Sequence, residues 1–192
     1  MALDMASDAS DEALLVLYGN GDRAAAQVLT VRLTPMALRV ARRMLGDWAE
    51  AEDVAQEAMM RLWKIAREWR QGEAKVSTWL YRVVTNLATD RLRKRRGIGL
   101  DEAPEVEDGQ PPVEERMMDE DRAEALQSAL NQLPDRQRQA VILRHIEGLS
   151  NPEIAEVMEI GVEAVESLTA RGKRALAEAL AGRREELGYD AN

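Results

Sequence analysis

The chain has 192 residues, with 26 Lys and Arg against 35 Asp and Glu and a formal net charge of −9. Hydrophobic residues make up 45% and charged ones 32%, the composition of a chain that builds cores rather than one that stays disordered. Cysteine is absent and histidine occurs once, which excludes disulfides, thiolate metal sites and a cysteine nucleophile, and leaves no multi-histidine site.

Residues 1–12 are acidic and lack the apolar centre of a signal peptide, and the longest apolar run, Ala13–Leu17, is far too short to cross a bilayer. A cytoplasmic protein that is not an enzyme, with no cofactor and no metal, is expected. From there the apolar period is helical almost everywhere, without a sustained strand alternation, and the fold class reads as all-α. Val54, Ala58, Leu62, Ile65 and Trp69 form one continuous apolar stripe. The next helix is predicted to open with Ser77 as N-cap and to turn Leu80, Val84, Leu87 and Leu92 inward.

Residues 97–121 interrupt this pattern. They hold Pro104, Pro111 and Pro112, three glycines, and 10 acidic residues against a single arginine. Such a segment cannot bury enough apolar surface to order itself and reads as a flexible acidic linker. It separates two small helical domains, 10–96 and 122–187. In the second, Pro134 suits a first helical turn and Gly148 a C-terminal stop. Ser150-Asn151-Pro152-Glu153 is a capping box. A turn of about three residues then leads to a helix from Val162, with Val162, Val165 and Leu168 inside, the helix-turn-helix pattern. Glu159 stands in that turn, where the backbone wants positive φ and glycine is usual.

The acidic total hides a basic region. Residues 61–96 carry 11 basic and 3 acidic side chains, directly before the acidic segment. Faces rather than totals meet phosphates.

Three helical faces carry chemistry. On the helix that holds the Val54 stripe, Asp53, Gln56, Glu57, Met60 and Arg61 form a polar face with one exposed methionine, which suits protein docking better than nucleic acid. A solvated amphipathic face is the plain alternative. On the helix from Ser77, Trp79, Val83, Asn86, Asp90 and Arg93 share a stripe, with Arg82, Thr85 and Thr89 beside it. Aromatic, amide and cationic groups together suit a partly opened duplex, by stacking, edge hydrogen bonds and backbone charge; the alternative makes Trp79 core and the basic run a solvated helix end. The last helix exposes Glu166, Ser167, Ala170, Arg171, Lys173 and Arg174, mixing phosphate-seeking cations with short groups that can approach base edges. An ordinary helical hairpin would look similar.

Taken together and in this order, these segments resemble a bacterial RNA polymerase sigma factor of the extracytoplasmic-function group, from about Leu14 to Leu180. The most specific stretches are Gly19–Ala25, Ala49–Glu57, Ser77–Arg82, Leu133–Arg138 and Glu147–Ala155. Positions near Ala25 and Leu29, often aromatic in the family, are aliphatic here. The resemblance implies a dissociable subunit that directs core polymerase to promoters. Asp53, Gln56, Glu57, Met60 and Arg61 would dock on the β′ clamp helices, with the β flap as a further partner surface of core polymerase. Thr78, Trp79, Arg82, Asn86, Asp90, Arg93 and Lys94 would read and help melt the −10 element. Glu166, Ser167, Ala170, Arg171, Lys173 and Arg174 would read the −35 element. An anti-sigma factor is the implied controlling partner.

Other classes compete. A sigma-like adaptor that sequesters an anti-sigma factor without binding promoters would keep the fold but not the basic run Arg91–Arg96. A plain helix-turn-helix regulator would need a sensor domain. An enzyme is disfavoured, because His145 stands between Arg144 and Ile146 with no nucleophile or ligand spacing beside it and reads as structural.

Overall fold

The computed structural model describes residues 9–97, apart from 71 and 73, and residues 114–186; within the latter, side chains are described for residues 122–182. No strand occurs among the described residues. Each helix start in the first part is set by a side chain placed to accept orphan amides. Ser10 caps α1 (Asp11–Gly19), Asp22 caps α2 (Arg23–Leu45), and Asp47 caps α3 (Trp48–Ile65). Gly46 ends α2 at φ 69°, a left-handed turn that suits glycine, and a Cβ there would fall 2.8 Å from the Asn131 side chain.

The fourth helix, α4, spans Val76–Gly97 and so begins one residue before the predicted Ser77 cap. A distant residue takes over the capping: the Glu12 carboxylate on α1 accepts from the Val76 amide at 2.9 Å. The Val54 stripe also ends earlier than predicted, because α3 stops at Ile65. Trp69 lies in the following turn and packs edge-on against Trp79, with ring centroids 6.5 Å apart. Tyr18 and Trp63 form a second edge-on pair. Ala25 and Leu29 are fully buried, so aliphatic packing fills those positions.

The second part starts inside the predicted linker. Helix α5 spans Glu114–Asn131, so residues 114–121 are helical, while 98–113 lie outside the described residues. Helix α6 (Asp135–Val141) follows Pro134 as its N-cap and runs straight into a π-helical turn, Ile142–Ile146. Helix α7 (Asn151–Met158) opens with the predicted capping box, in which Ser150 and Glu153 satisfy each other's backbone amides. Glu159, at φ 55° and ψ 46°, provides the predicted left-handed turn. Helix α8 spans Val162–Glu186. Val165 is buried and Leu168 partly so, but Val162 is 39% exposed: it sits at the open first turn, where no neighbouring helix covers it.

The two parts share a core. Leu130, Leu133, Val141 and Ile142 belong to the same buried cluster as Leu29, Met44, Leu62 and Leu80. A smaller cluster under the helix-turn-helix, with Leu143, Ile154, Val157 and Val165, packs on Tyr81 of α4. Arg138 crosses the join: it is 5% exposed and donates to the carbonyls of Met44, at 2.6 Å, and of Asn131 and Leu133. Burial lowers the pKa of its guanidinium, with Arg96 and Arg95 adding to the effect while Asp135 opposes it.

Candidate nucleic-acid and polymerase interfaces

On α3 the inward side is closed and the outward side open. Val54, Ala58 and Leu62 are fully buried, whereas Asp53, Gln56, Met60 and Arg61 are exposed and Glu57 is half-buried. Glu57 and Arg61 pair one turn apart at 2.6 Å. Asp53 has a second task, because its carboxylate lies 3.6 Å from Arg91 of α4.

The seven candidates on α4 divide into two groups. Asn86, Asp90, Arg93 and Lys94 are exposed, with Asp90 and Arg93 paired loosely at 3.9 Å. Thr78 is buried, and Trp79 is half-buried against the core and Trp69. Arg82 is engaged by the second part of the chain: it donates to the Glu156 carbonyl at 2.6 Å and lies 3.4 Å from the Glu159 carboxylate. The basic run is also less free than its sequence suggests, since Arg95 pairs with Glu50 and Arg96 with Asp135.

On α8 all six candidates, Glu166, Ser167, Ala170, Arg171, Lys173 and Arg174, are exposed. Arg171 donates to the Ser167 hydroxyl at 2.6 Å, one turn back. Behind this face Gly172 is buried; a Cβ there would come within 2.6 Å of Val141 and 3.1 Å of the Gln137 carbonyl, so glycine sets how closely α8 approaches α6. His145 is exposed on the π turn, and burial together with Lys173 and Arg144 lowers its pKa.

Two separate regions of the chain match known families: residues 29–98 match sigma-70 region 2, and residues 123–176 match sigma-70 region 4. The RNA polymerase sigma-H factor of Pseudomonas aeruginosa is 33% identical over 189 residues, covering 92% of this chain and 96% of its own length. The chain belongs to the ECF sigma factors of bacterial RNA polymerase. SigW of Bacillus subtilis is 36% identical over 147 residues, which cover 70% of this sigma factor and 77% of SigW. SigE of Mycolicibacterium smegmatis is 35% identical over 157 residues, of whose length the chain spans 60%. Among solved structures, CnrH in complex with the cytosolic domain of CnrY superposes with a TM-score of 0.68 at 25% identity, over 90% of this sigma factor and 97% of that chain. No helix among the described residues is long and apolar enough to cross a membrane.

A polar centre at the join of the two parts is not legible from residue spacing. Glu147, just past the π turn, has a side chain only 1% exposed. Its two oxygens accept from Arg39 of α2, both at 2.7 Å, and one also accepts from the Tyr81 hydroxyl at 2.9 Å. Burial, the Glu147 charge and this hydrogen bond together push the Tyr81 phenol well above its usual pKa, so it stays a donor. Glu147 and Tyr81 each stand in stretches that resemble the family, yet nothing in spacing pairs residues so far apart in the chain.

Proposed function

We propose that this sigma factor is a dissociable initiation subunit with a division of labour among three faces. Residues 10–96 form the polymerase-docking and −10 domain, residues 97–121 the linker, and residues 122–187 the −35 domain. Asp53, Gln56, Glu57, Met60 and Arg61 on α3 meet the clamp helices of core polymerase. Thr78, Trp79, Arg82, Asn86, Asp90, Arg93 and Lys94 on α4 meet the −10 element. Glu166, Ser167, Ala170, Arg171, Lys173 and Arg174 on α8 enter the major groove of the −35 element. The single observation that carries this reading is the pair of family matches, each falling on a part of the chain with its own exposed polar face. The protein acts in the cytoplasm, where its polymerase is, and catalyses nothing by itself.

An anti-sigma factor is the fitting controller, since one solved relative in fold, sigma factor RpoE of Bartonella quintana, was determined together with its anti-sigma factor NepR. With no cysteine in this chain, a redox or thiolate-metal signal would be sensed by that partner.

In vitro transcription tests the reading: purified protein is added to sigma-free core polymerase on a pool of promoter fragments. Transcripts sharing an upstream pair of elements are expected. Tight core binding without any transcript would favour the adaptor reading, and failure to bind core would remove the role given to α3.

A further inference from the structure

The first turns of α8 carry an unexpected group for a face that meets phosphates. Glu166 is exposed there, and a carboxylate beside a nucleic-acid backbone lowers affinity rather than raising it. Its side chain is nevertheless held. The Asn151 side-chain amide donates to Glu166 Oε1 at 3.5 Å, across the helix-turn-helix. Asn151 is half-buried at the first position of α7, next to the Ser150–Glu153 capping box that fixes this helix end. A donor on one carboxylate oxygen leaves the other to accept from outside.

The neighbours of Glu166 offer little competition. Ala170, one turn further on, has only a methyl group, and the Ser167 hydroxyl is engaged by Arg171 at 2.6 Å. What a carboxylate can read in the major groove is narrow. Thymine presents O4, and guanine O6 and N7, all acceptors that repel it. Adenine sets its N6 amino group beside the acceptor N7, whereas cytosine presents its N4 amino group alone. A carboxylate held in one place therefore favours cytosine over the other three bases.

We propose that Asn151 is a positioning residue that holds Glu166 as a cytosine reader, so that the −35 element of this sigma factor carries a C·G pair at the position facing Glu166. This rests on the assignment of α8 to the −35 element, and it adds the base demanded there.

The test uses reconstituted holoenzyme and a promoter recovered by the transcription assay. Each base pair of the upstream element is substituted in turn, and the apparent dissociation constant is measured at one salt concentration. Removing a negative charge tightens binding to every sequence alike, so the ratios between promoter variants carry the test. For the parent, replacing one particular C·G pair by T·A is expected to weaken binding about 5- to 10-fold. Glu166→Ala should bring that penalty below about twofold and leave those at other positions as they were. Glu166→Gln should move the preference at that position to adenine, because an amide pairs with N6 and N7 together.

Asn151→Ala should reduce the cytosine penalty to about two- to threefold. Asn151→Asp suits the start of α7 but repels Glu166, and should reduce the penalty at least as far. Neither change should add anything in the Glu166→Ala background, since Asn151 acts through Glu166. A loss from Asn151→Asp spread evenly over all positions would overturn the positioning role. Glu166→Ala with every base penalty intact, alongside an Arg171→Ala that relaxes one, would overturn the cytosine reader and keep α8 on the −35 element. If no substitution in α8 alters any upstream penalty, the assignment of α8 falls and the inference with it.

Discussion

Helices α3 and α4 lie against each other in one half of the molecule, and both carry a buried stripe and a polar face. Their polar faces nonetheless have opposite fates. That of α3 points outward, with Met60 52% exposed and Arg91 of α4 reaching only as far as Asp53 at its edge. That of α4 is divided: its C-terminal part is open, and its N-terminal part is occupied by residues of the other half. Sequence periodicity separates inside from outside on a helix, but it does not tell which outside is then covered by a remote part of the chain. The difference teaches that an amphipathic face is a statement about one layer of packing only.

The largest expected effect would come from the buried side of α3. Leu62 is fully buried, and Leu62→Ala should lower unfolding free energy by about 2–5 kcal/mol in urea titrations. Met60→Ala, two positions away, should cost under about 0.5 kcal/mol and yet weaken binding to core polymerase. Comparable destabilisation by both would mean that the outer face of α3 is covered after all.

Next comes the join itself. Arg138→Met removes three hydrogen bonds that tie α6 to Met44 and to the end of α5, and it leaves buried carbonyls unsatisfied. A loss of about 2–4 kcal/mol is expected, with the calorimetric transition splitting as the two halves uncouple. A single sharp transition at lower temperature would show that the shared apolar core alone keeps them together.

A smaller effect, of opposite sign, is expected at the turn. Glu159→Gly should relieve up to about 1 kcal/mol of left-handed strain, from which the loss of a mostly exposed ion pair subtracts a few tenths. A small rise in thermal midpoint follows; a clear fall would mean that the pair with Arg82 outweighs the strain.

The smallest effect concerns how α4 begins. Burial raises the Glu12 pKa, but hydrogen bonds from the Val76 amide, its own backbone and Ser10, with the charge of Lys75, outweigh it, and the pKa lies below its ordinary 4.5. A depressed carboxylate stabilises the fold at pH values above its unfolded pKa, and that contribution disappears as the pH falls through the folded value. Wild type should therefore exceed Glu12→Gln in thermal midpoint near neutrality and converge with it as the pH drops below the ordinary carboxylate range. A gap that persists in acid would assign the difference to packing.

Much of this architecture is legible in the sequence because local rules decide it. The capping box at Ser150, the left-handed turn at Glu159 and the inward stripe of Val54, Ala58 and Leu62 depend on residues within a few positions of one another. All six α8 candidates are exposed for the same reason. The misreadings have a different origin. Ser77 is a good local cap, but Glu12 reaches in from α1 and starts the helix a residue earlier. Val162 follows the inward spacing but lies at an end that no helix covers. Residues 114–121 have a linker's composition and nevertheless extend α5. The spacing of Thr78, Trp79 and Arg82 likewise does not show that Thr78 is buried, Trp79 half-buried and Arg82 engaged by the second half of the chain. Glu147 shows the limit most clearly, for its partners lie 66 and 108 positions earlier.

The order of these elements along the chain also sets a clock. Helix α4 ends at Gly97, whereas α7, which covers it, ends only at Met158. At bacterial synthesis rates of about 5–20 residues per second, roughly 3–12 s separate the two. Each new molecule therefore leaves the ribosome with Tyr81 and Arg82 uncovered, next to the cell's messenger RNA, and Glu147 arrives before Glu159 to close the gap. A protein made quickly and released whole would hardly show this interval; one stalled between α4 and α7 would display its most cationic helix for as long as the stall lasted.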